Sequence, residues 1–217
     1  MDAKKFSLPP ERGYDQAYAL SYQMASERLA ETANVPELCR RAAVECGPSD
    51  EGWLILLPYL GGRYRVRCPE VEILAVEGPA PTPRDKLIML HYLVTAKGTP
   101  PTGRPVTFRE LPEGNVYFPT FNQRAVRPVM DRFGKDPEQL LKAAGAMAGR
   151  RVEQGDVAVT IDALPRVPVT FVVWRGDEEL PPQGNILFDA NVTDYLPTED
   201  ITVLCETIAW RLVRSAA

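Results

Sequence analysis

The chain holds one histidine, His91, inside the apolar run Leu87-Ile88-Met89-Leu90-His91-Tyr92-Leu93-Val94. A neutral imidazole in such surroundings can serve as an axial ligand to a metal held in a macrocycle, or as a tuned general base. The competing reading is a core histidine whose two nitrogens find backbone or tyrosine partners. Arg109, set beside Glu110 and between Phe108 and Leu111, has the planar fork that grips a carboxylate or phosphate through two parallel hydrogen bonds. The same side chain can instead tie loop carbonyls together. Tyr117, Phe118 and Phe121 lie close by in sequence and would either wall a planar ligand or fill a core. A third cluster is acidic. The turn Trp174-Arg175-Gly176-Asp177-Glu178-Glu179 precedes Asp189, Asp194, Glu199 and Asp200, carboxylates enough for a hard cation or for acid/base work. The calcium-loop spacing is missing, and Glu199 and Asp200 are already accounted for as first-turn helix residues that complement the helix dipole. A solvated turn is therefore the alternative.

Other chemistry has less support. The chain has no G-x-S-x-G, no G-x-x-x-x-G-K-[ST] and no G-x-G-x-x-G, and with a single histidine any Ser–His or Cys–His pair needs a partner distant in sequence. Cys39, Cys46, Cys68 and Cys205 are scattered, with no C-x-x-C pair to preorganise half a metal shell. They read as small buried apolar residues, with Cys39 and Cys46 seven apart on one face if the helix reaches that far.

The elements that must position these residues follow from periodicity. Tyr18, Ser21, Tyr22, Ala25 and Leu29 recur at three and four, so the chain from Tyr14 to about Glu45 is expected to be helical, interrupted at Asn34-Val35-Pro36. Asn34 would cap the second helix, which should end near Cys46-Gly47-Pro48. Trp53–Tyr59 and Arg63–Arg67 form a hairpin about Gly61-Gly62, followed by a third strand in VEILAVEG. Asp85–Ala96 is a helix apolar around most of its circumference and so centrally buried. Val106–Arg109 is a short extended piece. Thr120–Phe133 reads as a helix with Pro128 as a kink or break. Asp136-Pro137-Glu138 starts another helix, running to about Ala148. Asp156–Ile161 and Val167–Trp174 are strands, and Leu187–Leu196 is mixed. Thr198 should cap a final helix to about Arg214 with Ile201, Leu204, Ile208 and Leu212 facing inward. Helices and strands that do not alternate strictly imply an α+β class, with a mainly antiparallel sheet packed on several helices. The expected organisation is one domain over residues 1–217, with a helical segment at about 1–48 and an α+β body at about 52–214.

Composition bounds the setting. The 217 residues are 45% apolar and 25% charged, ordinary for a globular chain able to bury its own core. Net charge is −4 with the two signs interspersed, which argues against a nucleic-acid face. No apolar run is long enough to span a bilayer and the start has no secretory pattern, so no membrane association and a cytoplasmic location are expected. Twenty-one prolines, mostly between periodic segments, stiffen the connections.

The segments HYL (His91–Leu93), FRELPEGNVYFPTF (Phe108–Phe121), RFG (Arg132–Gly134), GDVAVTIDALPRVPVTFVVWRGDEELPP and ILFDANVTDYLPTED together resemble the bacterial and archaeal family catalogued as domain of unknown function 3786, from about Gly52 to Trp210. The resemblance implies an anaerobic setting, and a context shared with iron–sulfur and corrinoid proteins of one-carbon metabolism. It brings no assigned catalytic residues. This chain lacks the four-cysteine module of some members, so any such cluster would sit on another polypeptide. The expected function is small-molecule binding, with a corrinoid or other tetrapyrrole as ligand. His91 would be its axial ligand, Arg109 and Arg166 would meet peripheral carboxylates, and Tyr117, Phe121 and Trp174 would supply apolar walls. Two alternatives stand beside it. One is a metal-dependent enzyme using the acidic turn at Asp177–Glu179 with Asp189. The other is a module that docks onto a redox or methyl-transfer protein through its proline-rich loops.

Overall fold

Strict alternation in Arg63-Tyr64-Arg65-Val66-Arg67-Cys68 decides the first layer. In the computed structural model, which describes residues 14–176 and 179–216, this stretch is β3 (Gly62–Cys68), joined to β2 (Gly52–Tyr59) through a turn at Leu60-Gly61, one residue before the Gly61-Gly62 turn expected, Gly62 pairing with Tyr59. β1 (Glu45–Ser49) and β4 (Ile73–Glu77) complete an antiparallel sheet of order β1-β2-β3-β4. The two-residue period sends Ile55, Leu57, Tyr59, Tyr64 and Val66 to the buried face and the three arginines to the other.

β1 corrects the expected helix end. Asn34 does cap α2 (Val35–Ala42), accepting from the Glu37 N–H at 3.0 Å. The helix stops at Ala43, however, which takes a left-handed φ of 53°. Gly47 and Pro48, poor in a helix interior, are acceptable in an edge strand, and pairing with β2 takes over the backbone hydrogen bonds.

The second sheet is built from β5 (Pro105–Thr107), β6 (Arg150–Val152), β7 (Val157–Leu164), β8 (Val167–Trp174) and β9 (Gln183–Asp189), antiparallel throughout in the order β5-β9-β8-β7-β6. The helices are α1 (Tyr14–Ala30), α3 (Pro83–Thr95), α4 (Gly114–Phe121), α5 (Arg127–Phe133), α6 (Glu138–Ala144) and α7 (Thr198–Ser215). The class is α+β. One continuous apolar core includes residues of both sheets and of the helices, Ile55, Leu90, Phe121, Phe171 and Leu204 among them. Among the described residues, no helix is long and apolar enough to cross a membrane.

Three anchors fix the helices that matter below. Thr82 and Asp85 form a capping box at the start of α3. The Asp85 carboxylate also accepts from Tyr59 at 2.8 Å and Arg211 at 3.0 Å, tying α3 to the first sheet and to α7. At the start of α7 the cap is Pro197 rather than Thr198. The Thr198 hydroxyl donates instead to Pro112 O at 2.9 Å, binding α7 to the loop before α4. The row Ile201, Leu204, Ile208 and Leu212 faces inward as expected. The helix expected from Thr120 starts earlier, at Gly114, and widens into a π-helical turn at Asn122–Val126 before α5. Pro128 has no N–H for the carbonyl four residues back, and the Arg127 N–H reaches five residues back to Asn122 O.

Candidate functional site

α3 and α7 bring His91 and Asp200 together across 109 residues of sequence, with Nδ1 2.6 Å from Oδ2. A carboxylate in its ionised form only accepts, so Nδ1 is the donor in this contact, and in the neutral form of the imidazole the lone pair is then on Nε2. Among the described residues nothing hydrogen-bonds to Nε2. The His91 side chain is 24% exposed and that of Asp200 9%, so one end of the pair is reachable and the other is packed.

The pair opens into a cleft of about 470 Å³. Tyr18 and Ser21 of α1 form one wall, Leu87 and Ile88 of α3 another, and Tyr117, Thr120 and Arg124 a third. Thr202 and Val203 of α7 close it, with Glu113 and Glu199 also in the lining. Asp200, Val203 and Glu206 recur every three residues and so lie along one side of α7. Glu206 is buried and is held by Arg124, whose Nε lies 3.1 Å from Oε2 and whose terminal nitrogen meets the same oxygen. Arg84 adds a longer contact at 3.8 Å, and its guanidinium lies over the Tyr18 ring. Burial pushes the Tyr18 phenol above its ordinary pKa, while Arg84 and Arg124 pull it part of the way back. Tyr18 therefore presents a neutral hydroxyl at neutral pH.

Two of the cleft's hydroxyls are committed to backbone, Thr198 to Pro112 O and Thr202 to Thr198 O. Because no side-chain nucleophile sits on Nε2, the arrangement can move a proton on a bound ligand or water, or donate the Nε2 lone pair to a Lewis acid.

Of the six residues expected to hold a tetrapyrrole, His91 and Tyr117 share this cleft. The other four lie elsewhere. Arg109 is exposed on a single 3-10 turn with its guanidinium 3.5 Å above the Phe118 ring. Phe121 is in the core, stacked on Phe108 at 3.9 Å. Arg166 occupies the turn between β7 and β8, with Nε buried and unpartnered. Trp174 is half exposed at the end of β8. The residues present thus fit the axial-ligand role and not the clamp on a macrocycle's periphery.

In the acidic turn, Asp177 and Glu178 lie outside the described residues, and Glu179 is exposed. Asp189 clasps a loop, accepting from Thr102 N at 3.0 Å, Thr102 Oγ1 at 2.8 Å and Gly103 N at 2.8 Å. Burial pushes its pKa up, but the hydrogen bonds outweigh that and hold it low. Asp194 is similarly engaged by Lys97 and Thr99. No group of three or more histidine, cysteine or acidic side chains placed to hold a metal occurs among the described residues. The residue patterns name Asp200 only as a first-turn carboxylate and not as the partner of His91, and they do not single out the Arg124–Glu206 pair farther along α7. The available signal was Glu206, a charge within the inward-facing stretch of the last helix.

The family model described as domain of unknown function, DUF3786, matches residues 34–211. No curated protein and no solved structure matches the chain. The matched span contains α3, the π-helical turn and α7 as far as Arg211, and leaves out α1.

Proposed function

We propose that this chain, which belongs to the DUF3786 family, binds a small molecule in the His91–Asp200 cleft and that His91 Nε2 is the atom that acts on it. The observation that carries the reading is the 2.6 Å contact between Nδ1 and Asp200, which fixes the tautomer and leaves Nε2 unpartnered in a cleft. The cleft's volume of about 470 Å³ falls within the range of about 300–1,000 Å³ usual for small ligands. Its lining mixes apolar surface from Leu87, Ile88 and Val203 with the hydroxyls of Tyr18, Ser21 and Thr120.

The chemistry follows from the pair. A ligand X–H, or a water held against the ligand, gives its proton to Nε2. The imidazolium that results is stabilised by the Asp200 carboxylate, as in other carboxylate–histidine pairs. The hydroxyls on the opposite wall orient the ligand. The same hydrogen bond favours a second reading, because a histidine that donates Nδ1–H to a carboxylate is also the usual form of a metal-ligating histidine. Nε2 would then ligate a metal centre that the ligand itself carries, a corrinoid or other tetrapyrrole included, presented by an iron–sulfur or corrinoid partner protein. A cytoplasmic site of action fits the four free cysteines, which suit a reducing compartment.

The single histidine makes the test direct. Diethyl pyrocarbonate should acylate one imidazole at Nε2, and Asp200→Asn should slow the reaction about tenfold or more by releasing the tautomer. Failure of native His91 to react, or an unchanged rate in Asp200→Asn, would overturn the reading. A small-molecule fragment screen read on the His91 ring ¹⁵N shifts identifies the ligand class. Titration with cobinamide and haem separates the second reading, which requires a shift of the absorbance bands that His91→Gln removes.

A further inference from the structure

Cys39 and Cys46 stand seven apart, and the fold brings them together by a route other than a continuous helix. Cys39 lies in the last turn of α2 and is 2% exposed. The left-handed φ at Ala43 turns the chain back, and the Cys39 carbonyl accepts the Val44 N–H at 3.0 Å. Two residues on, Cys46 sits in β1 opposite Ile55 of β2. Residues directly opposite on neighbouring strands share a face of the sheet. Ile55 is fully buried, so the Cys46 side chain points to the inner face, where α2 packs. There its thiol meets that of Cys39, side chain to side chain. Cys46 is partly exposed and Cys39 is buried, so one sulfur of the pair is open to solvent with the other behind it. Burial first, and the Cys46 thiol second, push the Cys39 thiol above its ordinary pKa. Cys39 therefore stays protonated at neutral pH, and Cys46 is the sulfur that a reagent from solvent meets. Neither residue borders the His91–Asp200 cleft.

We propose that Cys39 and Cys46 form a reversible thiol–disulfide site, oxidised by hydrogen peroxide and restored by a small dithiol. The Cys46 sulfur attacks one peroxide oxygen. An S–O bond forms as the O–O bond breaks, which leaves a sulfenic acid on Cys46 and releases water. The Cys39 sulfur then attacks the Cys46 sulfur. The S–S bond forms, the S–O bond breaks, and the hydroxyl leaves as water with the Cys39 proton. Peroxide takes two electrons and the two thiols supply them. A dithiol reverses the change by attacking the exposed Cys46 sulfur, freeing the Cys39 thiol and closing its own disulfide. The other pairings fit less well. Cys46 and Cys68 lie on β1 and β3 with β2 between them, a spacing of roughly 9–10 Å, beyond the about 7 Å between Cα atoms that a disulfide bridges. Cys68 is buried and its sulfur donates to Leu29 O at 3.5 Å, while Cys205 is fully buried in α7. The loop closed between Cys39 and Cys46 is short, so the disulfide adds little to stability and is easily given up again.

The test oxidises the full chain with hydrogen peroxide, blocks the remaining thiols with iodoacetamide and maps a non-reducing tryptic digest by mass spectrometry. Trypsin cuts after Arg40 and Arg41, so Cys39 and Cys46 fall on different peptides and their disulfide joins two that are otherwise separate. Most of the chain should carry that link, dithiothreitol should release it, and Cys68→Ala should leave it in place. In Cys39→Ala, oxidation should stop at a Cys46 sulfenic acid that dimedone traps, and in Cys46→Ser, peroxide should leave Cys39 reduced. Circular dichroism confirms that each variant is folded, with Cys39→Ser as the replacement should Cys39→Ala unfold. A link from Cys39 to Cys68, or from Cys46 of one chain to Cys46 of another, overturns the proposal. So does a native chain in which Cys46 runs on to the sulfinic acid while Cys39 stays reduced.

Discussion

Asp85→Asn tests the framework that holds the cleft. Asp85 is 1% exposed, and its two oxygens accept from four donors. Oδ1 takes Tyr59 OH at 2.8 Å and Arg211 at 3.0 Å, while Oδ2 takes the Thr82 N–H at 2.9 Å and the Thr82 hydroxyl at 2.8 Å. Burial first, and the neighbouring Asp85 carboxylate second, hold the Tyr59 phenol well above its ordinary pKa, so Tyr59 remains a donor. The amide keeps the shape of the carboxylate but turns one acceptor into a donor facing donors, and it leaves Arg211 without its counter-charge. Breaking a buried pair in this way costs about 3–5 kcal/mol. Because the Arg211 side chain is 23% exposed and partly solvated, the lower end, about 3 kcal/mol, is expected. In a chain of this size that is a loss of roughly 6–12 °C in Tm. Urea unfolding followed by far-UV circular dichroism should show a lower midpoint at an unchanged slope. Tyr59→Phe removes one donor only and should cost about 1–2 kcal/mol. A loss below about 1 kcal/mol for Asp85→Asn would refute the reasoning, because the carboxylate would then not be the counter-charge this geometry makes it.

Gly114→Ala should destabilise by about 1–3 kcal/mol despite alanine's better helix propensity, since a Cβ there would lie 1.9 Å from Phe108 O. An unchanged urea midpoint would contradict that. Iodoacetamide with peptide mass spectrometry should modify Cys46 first, as the one cysteine not fully buried. Cys205 should react last, because burial raises its thiol pKa far above the ordinary range. Hydrogen bonding holds the Asp189 and Asp194 carboxyls below their ordinary pKa. Their contribution to stability is therefore complete above the unfolded value of about 3.9 and is lost as pH falls through the lower folded values. Urea midpoints should decline on that acid limb, and Asp189→Asn should flatten the decline while lowering stability at pH 7.

The elements were largely legible because their periods were strong. β3 alternates without a break, and the inward row of α7 needed nothing beyond its spacing of three and four. Where reading failed, a longer-range contact overruled a local rule. Glu45–Ser49 contains residues that end helices, but only pairing with Gly52–Leu56 makes it a strand. Thr198 is a good capping residue, yet its hydroxyl is drawn to Pro112 O and Pro197 takes the cap. The site shows the same limit. His91 stood out as the lone imidazole. Asp200 did not, because its place in the first turn of a helix already explained a carboxylate in full, and no local pattern encodes a partner 109 residues away. Arg109, Phe121, Arg166 and Trp174 were plausible by type, but type carries no direction. Phe121 stacks into the core, and the other three lie on elements that do not border the cleft.

The family match divides the cleft in a way that bears on its use. His91, Arg124, Asp200 and Glu206 all fall within residues 34–211, whereas α1, which supplies Tyr18 and Ser21 to the opposite wall, falls outside. The dyad does not need α1. Its geometry is set by the Thr82–Asp85 box, by the Arg211 contact to Asp85 and by the tie from Thr198 to Pro112. α1 packs on α3 and buries Ala25 and Leu29, and it is tied to the first sheet's side by Tyr22 OH donating to Val71 O at 3.4 Å and by Cys68 Sγ donating to Leu29 O at 3.5 Å. A helix that lines a cleft without building its reactive pair can change the cleft's shape and hydroxyl pattern at little cost to that pair. In the proposed reading, the nitrogen that would act belongs to the framework of α3 and α7, and the choice of what it would act on would fall to the α1 wall with Tyr18 and Ser21.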